Sequence, residues 1–349
     1  MSKPTPQELK QSIIENPKKR SRDLALELGV SEGELLAANC GDYVTRLNCK
    51  PGEFVQSLTA LGPVMALTRN ESVVHEKTGV YDNIHVNKMH TIVLNEDIDL
   101  RVFMSHWTNI FSVTQEGDNG TKRSFQVFNN QGEAIHKVHM KPQSNIEAFD
   151  EITSRFKADD QSPDFAVTPV ENKEFDIPDD DVDLVLLQEK WAAMTDVHQF
   201  IGILKKLNCS RYQAVKLVGE EFAEQLDPSC IPSLLTEVVQ EETPIMCFVG
   251  SKGCIQIHSG PIYDLKTMGP WYNILDPNFN LHLRLDHISE VWAVRKPTDV
   301  EYVTSVEVYD KDKNLIVQFF GKRTESKAER PDWRAIVTSM PRLQTALAS

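Results

Sequence analysis

SFQVFNNQGEAIHKVHMK, residues 124–141, and SVEVYDKDKNLIVQFFGK, residues 305–322, lie 181 positions apart and read as one piece of structure written twice. Each opens with an apolar and polar alternation, passes a cluster of turn formers (Asn129 to Gly132, Asp310 to Lys313) and returns in a second strand-like run. Alternation of period two marks a half-buried strand, and Asn, Asp and Gly accept the backbone angles of a tight reversal. Each piece therefore predicts two antiparallel strands joined by a turn. Ser124, Val127, Ile135 and Lys141 fall on Ser305, Val308, Ile316 and Lys322 without a gap.

Outward from this stretch the correspondence continues. At the same offset Pro63, Met65 and Gly79 meet Pro244, Met246 and Gly260, while Leu100, His106 and Val113 meet Leu281, His287 and Val294. Chance would supply about three identities over these blocks rather than ten, so the chain is internally duplicated. Ahead of the strands, residues 22–38 carry apolar residues at helical spacing, and residues 197–218 do the same with a break near Asn208. Further strands are expected at 91–94, 101–104, 281–285 and 291–294. The fold class is α+β: two tandem, structurally similar halves, with helices packed on large antiparallel sheets. The expected division is 1–154, an acidic linker at 155–183, and 184–349.

Composition narrows the function classes. The 349 residues are 40% apolar, enough for a sizeable core, and 37 basic against 51 acidic residues give a net charge of −14. A general polyanion-binding surface does not fit that balance. The proposed linker holds ten Asp/Glu against three Arg/Lys, with three prolines. The start, Met1-Ser-Lys-Pro-Thr-Pro6, has no apolar stretch behind it, so no signal peptide or membrane insertion is expected. Six cysteines without a Cys-x-x-Cys pair suggest reduced thiols in a cytoplasmic protein.

Histidine is the first place to look for chemistry. His75-Glu-Lys77 lacks the second histidine of a zinc-protease motif, and Glu76 and Lys77 suggest a solvated segment. His136 and His139 lie on a strand and point to opposite faces, which is wrong for chelation. His106 and His287 recur by duplication and read as structural. His198 differs: Asp196 and Gln199 mark a helix start, and Phe200, Ile203, Leu204 and Leu207 form the core stripe. Two positions before Phe200, His198 faces away from that stripe, above Gly202, whose missing side chain leaves room for a flat ligand. The helix dipole keeps its ring a neutral donor for a metal. From the residues alone this histidine is either an exposed bystander or a metal or haem ligand. Arg101, Phe103 and Trp107, with Arg295, Lys296, Gln318, Phe320 and Arg323, place cations beside aromatics on strands. That composition suits a planar ligand with carboxylates, or one solvated strand face.

The competing class is nucleic-acid binding. Ser21 to Ser31 followed by Glu34-Leu-Leu36, with Lys18, Lys19, Arg20 and Arg22 in front, is helix–turn–helix-like. Two packed helices joined by a glycine turn give the same pattern.

The motifs Ala66 to Glu71, Val74 to Lys77, Asp99 to Phe103, Ile135 to Val138, Asp196 to Phe200 and Gly253 to His258 then combine. With Gly269 to Trp271, Asn280 to Arg284, Val294 to Thr298 and Gln318 to Gly321, they resemble the cytoplasmic hemin-degrading factors. This is the HemS/ChuS type of haem-utilisation protein, and the resemblance covers nearly the whole chain. One departure is Thr324-Glu-Ser326, where the family carries Lys-Pro-Gly. The resemblance implies haem b (iron protoporphyrin IX) in a cleft between two similar halves, with His198 as axial ligand and Arg101 as distal polar and catalytic group. It also implies Lys296, Gln318 and Arg323 around the propionates, and Phe103, Phe248 and Phe320 along the ring faces. Implied partners are an inner-membrane haem importer, a downstream haem acceptor or oxygenase, and an external reductant if the ring is opened. No flavin or nicotinamide fingerprint supplies electrons; Gly250-x-x-Gly253 is too weak a signal.

Overall fold

The computed structural model describes residues 3–117, 120–169, 177–324 and 327–343. Its helices are α1 (Pro6–Glu15), α2 (Ser21–Leu28), α3 (Glu32–Ala37), α4 (Pro51–Ser57), α5 (Ile146–Phe156), α6 (Leu184–Ala192), α7 (Gln199–Leu207), α8 (Arg211–Leu217), α9 (Ile231–Gln240) and α10 (Pro331–Ser339). In the first half the strands are β1 (Val44–Leu47), β2 (Val64–Arg69), β3 (Val73–Gly79), β4 (Ile84–Val86), β5 (His90–Leu94), β6 (Asp99–Phe103), β7 (Asn109–Gln115), β8 (Lys122–Phe128) and β9 (Ala134–Met140). The second half adds β10 (Ala223–Leu226), β11 (Ile245–Gly250), β12 (Cys254–Gly260), β13 (Leu265–Met268), β14 (Trp271–Leu275), β15 (Phe279–Arg284), β16 (Glu290–Pro297), β17 (Tyr302–Tyr309) and β18 (Leu315–Gly321). The strands form two nine-stranded sheets.

Two compact units divide the chain. One comprises Met1–Arg69, His75–Glu171 and Gly250–Gln256; the other Asn70–Val74, Asn172–Val249 and Ile257–Ser349. The linear division expected from sequence is thus modified by two short exchanged segments. Part of the acidic segment is also docked on the first unit rather than strung free. Arg46 donates to the carbonyls of Ser162 and Asp164, Gln161 bonds the Arg46 backbone, and the Phe165 ring stacks 6.3 Å from Phe111. Its charge belongs to a linker, but these contacts hold it down.

In the first unit five strands run β1-β7-β8-β9-β2, and β4-β5-β6 form an antiparallel group. Phe54, Phe125 and Phe149 fill the core beneath them. In the second unit the order β10-β16-β17-β18-β11 repeats the plan, and β13-β14-β15 form their own antiparallel group. Helices α9 and α10 cover one core of this unit, with Trp333 and Leu234 at its centre. Helices α6, α7 and α8 cover another, built on Trp191 and Phe200.

The duplication is visible in hydrogen bonds, beyond residue identity. Asn129 Oδ1 accepts from the amides of Gln131 and Glu133, and Asp310 Oδ1 accepts from those of Asp312 and Asn314. Both turns close with a positive φ, at Gly132 and Lys313, and both hairpins slip register at the equivalent step, Val127/Phe128 and Val308/Tyr309. The helical stretches 22–38 and 197–218 are each two helices, broken at left-handed Gly29 and Asn208. Each second helix starts in a capping box, Ser31 with Glu34 and Ser210 with Gln213.

This packing removes the nucleic-acid reading. A recognition helix must be free to enter a groove. Helix α3 has only six residues, and Gly33, Glu34, Leu35 and Ala37 are buried. Its Gly33 amide donates to the Gly132 carbonyl at 2.9 Å, and Glu32 pairs with Lys137 at 2.5 Å. Among the described residues no helix is long and apolar enough to cross a membrane. All six cysteines are free thiols, five of them buried and Cys49 half-buried.

Candidate functional site

Strand register in the second unit gathers side chains from distant sequence onto one face. Phe248 is paired with Gln318, Gln318 with Glu307, and Glu307 with Trp292. One row away, Phe320 is paired with Ser305 and Ser305 with Val294. Phe248 and Phe320 meet with ring centroids 5.0 Å apart, so two of the three predicted aromatic contacts form one cluster. Trp191, Phe200, Trp292 and Tyr309 belong to the core that packs α6–α8 on this side.

His198 sits at the N-cap of α7 with its side chain 78% exposed. The sequence places the cap at Asp196, but the helix begins at Gln199 because residues 195–198 form turns of their own. The Gln199 amide donates to the Asp196 carbonyl, and that of Phe200 to Val197. Thr195 and Gln199 close the turn reciprocally, the Thr195 amide on Gln199 Oε1 and Gln199 Nε2 on Thr195 Oγ1. The Asp196 carboxylate accepts from the His198 amide and lies 2.7 Å from His198 Nδ1. That amide, then the ring and the charge of Arg323, holds the Asp196 carboxyl below its ordinary range. An ionised carboxylate can only accept, so Nδ1 carries the proton and the Nε2 lone pair is left for another partner. This is the arrangement in which a carboxylate orients a metal-binding imidazole. Apart from its chain neighbours and the backbone of its own helix, nothing lies within 4 Å of where a Gly202 side chain would start, so that flank of α7 is open. The fit to a haem iron thus rests on an oriented donor nitrogen, an open helix flank and, through Arg323, a nearby cation.

Other predicted residues are placed differently. Lys296 is buried, with its Nζ 2.8 Å from Glu307 Oε1, and Gln318 donates to the same oxygen at 2.9 Å. Both side chains are therefore committed to Glu307 in this form, not presented as free partners for propionates. Burial opposes ionisation of Glu307, but the charges of Lys296 and Arg211 outweigh it, and the carboxyl titrates far below its usual range. Arg101 and Phe103 lie on β6 of the first unit. Arg101 is ion-paired with Asp99, and Phe103 is exposed. Phe103 also lines a cavity of about 850 Å³ with Val86, Met89, His90, Met104 and His106. His106 is thus exposed rather than structural, whereas His287 is bonded to the Ser72 hydroxyl at 3.0 Å. His75 is fully buried, so the solvated segment expected around it is a buried strand. His136 is buried between the hydroxyls of Thr68 and Tyr81, and no cluster of metal-ligating groups is present among the described residues.

Sequence reasoning missed Glu307, Arg211 and Trp191. Glu307 carried a signal: period two puts it on the same strand face as Ser305 and Tyr309, between Val306 and Val308. An acid in an otherwise apolar strand needs a buried partner. Arg211 carried none, because helix α8 reaches Glu307 from 96 positions away.

Comparison with known proteins follows the same lines. The model of the haemin-degrading HemS.ChuX domain matches twice, over residues 29–156 and 208–340. The hemin transport protein HemS of Yersinia enterocolitica is 38% identical over 338 residues, covering 96% of each chain. Holo-PhuS, a heme-binding protein from Pseudomonas aeruginosa, superposes with a TM-score of 0.94 at 41% identity, covering 97% of this chain and 100% of that one. ChuS, an E. coli heme oxygenase, gives 0.87 at 33% identity over 95% and 99%.

Proposed function

The chain belongs to the family of the haemin-degrading HemS.ChuX domain, and on that premise we propose that it binds iron protoporphyrin IX as cargo, with His198 as the iron ligand. The observation that carries this reading is the Asp196–His198 pair, which fixes Nδ1 and leaves Nε2 for the metal. Phe248 and Phe320 supply an aromatic surface for the ring, and Arg323 a cation for a propionate. From the family resemblance, Arg101 is proposed as a hydrogen-bond donor to oxygen bound with the haem, and Phe103 as a further ring contact. Lys296 and Gln318 serve the binding surface through Glu307 rather than by direct pairing.

One protein imidazole leaves the second axial position of the iron open to water or oxygen. Oxidative ring opening would need an external reductant, and the protein's part would be to hold the macrocycle and donate hydrogen bonds. The family supports a place in haem uptake in the cytoplasm, receiving cargo from an importer and passing it, or its iron, onward. The test is a haem titration of the wild type and His198→Ala, then reductant under air with catalase present. A shifted Soret band and at least tenfold weaker binding in His198→Ala are expected; an unchanged spectrum and affinity would remove His198 from the iron. Decay of the wild-type Soret band to a bile-pigment spectrum identifies a degrader, and its persistence a carrier.

A further inference from the structure

We infer that Glu307 is the positioning residue of the helix that carries His198: its buried carboxylate holds Lys296 and Arg211 against the ring of Phe200, and this cage seats the start of α7. The inference rests on the reading of His198 as iron ligand.

Glu307 is fully buried and gathers donors from every element around it. Its Oε1 accepts from Lys296 Nζ on β16 at 2.8 Å, Gln318 Nε2 on β18 at 2.9 Å, Arg211 Nη1 on α8 at 3.1 Å and Ser305 Oγ at 3.2 Å. Tyr309 donates its hydroxyl to Oε2 at 2.6 Å. Two cations against one anion leave a surplus positive charge, which the aromatic faces above it take up. Lys296 Nζ is 4.8 Å from the Phe200 centroid and 5.6 Å from that of Trp191, and Arg211 Cζ is 4.9 Å from Phe200. Phe200 is 1% exposed, edge-on to Trp191 at 4.9 Å, and stands two residues after His198. Without the carboxylate the two cations would lose their counter-charge inside the core and repel each other across one ring, a cost that buried groups relieve by moving apart or admitting water. Phe200 would lose its seat and the turn before it would drift. Besides the cage, this turn is tied by the bonds within 195–200, the Asp299 amide on the Thr195 carbonyl, the charge of Arg323 on Asp196 and the packing of Phe200 on Trp191.

The duplication provides an independent argument. On the strands, at the offset of 181, Glu307 corresponds to Gln126 and Lys296 to Gln115. On the helices, where Asn208 and Ser210 fall on Gly29 and Ser31 at an offset of 179, Phe200 corresponds to Ser21 and His198 to Lys19. Arg211 and Gln318 correspond to Glu32 and Lys137, which form a helix-to-sheet ion pair of reversed polarity. The charge cage and the histidine occur in the same half and are missing from the other together.

The experiment uses the full chain and haem. Glu307→Gln keeps the shape and loses the charge; we expect a dissociation constant at least tenfold higher and a mixed axial-ligand signature by resonance Raman, with the far-ultraviolet dichroism of a folded protein. Arg211→Met combined with Glu307→Gln removes a cation with the anion and leaves Lys296, which can shed its proton, so the imidazole signature should return and the affinity should lie closer to wild type than in the single variant. If Glu307→Gln retains wild-type affinity and signature while His198→Ala loses both, the positioning role is overturned and the ligand reading stands. If His198→Ala itself retains them, the ligand reading falls. Should the single variant not fold, the double variant decides: a native signature supports the cage, and a folded protein with a disturbed one overturns it.

Discussion

At residue scale the proposed site is a histidine whose ring is oriented by a carboxylate two positions before it. Outer partners of metal-binding imidazoles typically matter by ten- to a hundredfold in metal affinity. Asp196→Asn should therefore weaken haem binding by about tenfold while leaving imidazole on the iron; if titration gives an unchanged constant, Asp196 only caps the turn. Arg101 allows binding and chemistry to be separated. Its guanidinium keeps donors beyond those used on Asp99. The proposed iron–imidazole bond does not involve it, so Arg101→Ala should lower haem affinity only modestly. Loss of one preorganised donor typically costs about 3 kcal/mol, on the order of a hundredfold in rate. The measurement is Soret decay per bound haem on the same sample. Collapsed affinity with undiminished decay would make Arg101 a binding residue instead. The exposed position of His198 opposite the apolar stripe was legible in sequence, because it needs only helix periodicity. The commitment of Lys296 and Gln318 was not, since nothing local to either residue announces a carboxylate buried across the sheet.

Among the elements, α7 shows a stability penalty retained beside the proposed iron ligand. Gly202 stands in the helix interior with open space on its flank, so nothing in the packing requires glycine there. Alanine would be worth up to about 1 kcal/mol in helix stability. Gly202→Ala should raise the urea midpoint slightly, and Gly202→Leu should weaken haem binding by filling the flank on which a flat ligand would lie. Unchanged affinity in the leucine variant would show that the clearance is not used. Strand and helix existence was readable along most of the chain, down to the paired turns at 129–132 and 310–313. Helix starts were less so: Asp196 has the chemistry of a cap, but the Thr195–Gln199 exchange delays α7 to Gln199.

Across the whole molecule, buried His136 and half-buried His139 bear on the response to acid. Burial, the largest cause, lowers His136 to about 3 and His139 to about 4. Below about 6.5 the unfolded chain takes up protons that the folded chain refuses, so stability falls as pH drops through that value and continues to fall toward the folded values. The carboxylate of Glu307 acts with the same sign but far lower on the scale. Urea unfolding at pH 7 and pH 5 should show a drop that His136→Gln reduces; an equal drop in both proteins would place the effect elsewhere. At this scale the duplication was fully legible from the 181-residue offset. The exchange of residues 70–74 and 250–256 between units was not, because a swapped strand has the same pattern as a local one.

The buried thiols bear on chemical endurance. Burial raises Cys49 and Cys230 to about 11 and Cys254 to about 12, and lifts Cys247 further. Only the thiolate reacts readily with peroxide, and at pH 7 a thiol near 11 is ionised in on the order of one molecule in ten thousand. Peroxide forms wherever haem iron, a reductant and oxygen meet, and among the described residues the exposed sulfur is at Met89 and Met268. Mass spectrometry after mild peroxide treatment should find sulfoxide at those methionines before any cysteine is oxidised. The core would then be spared while the surface takes the wear; cysteine sulfinic acid appearing first would mean that the folded core opens faster than its packing suggests.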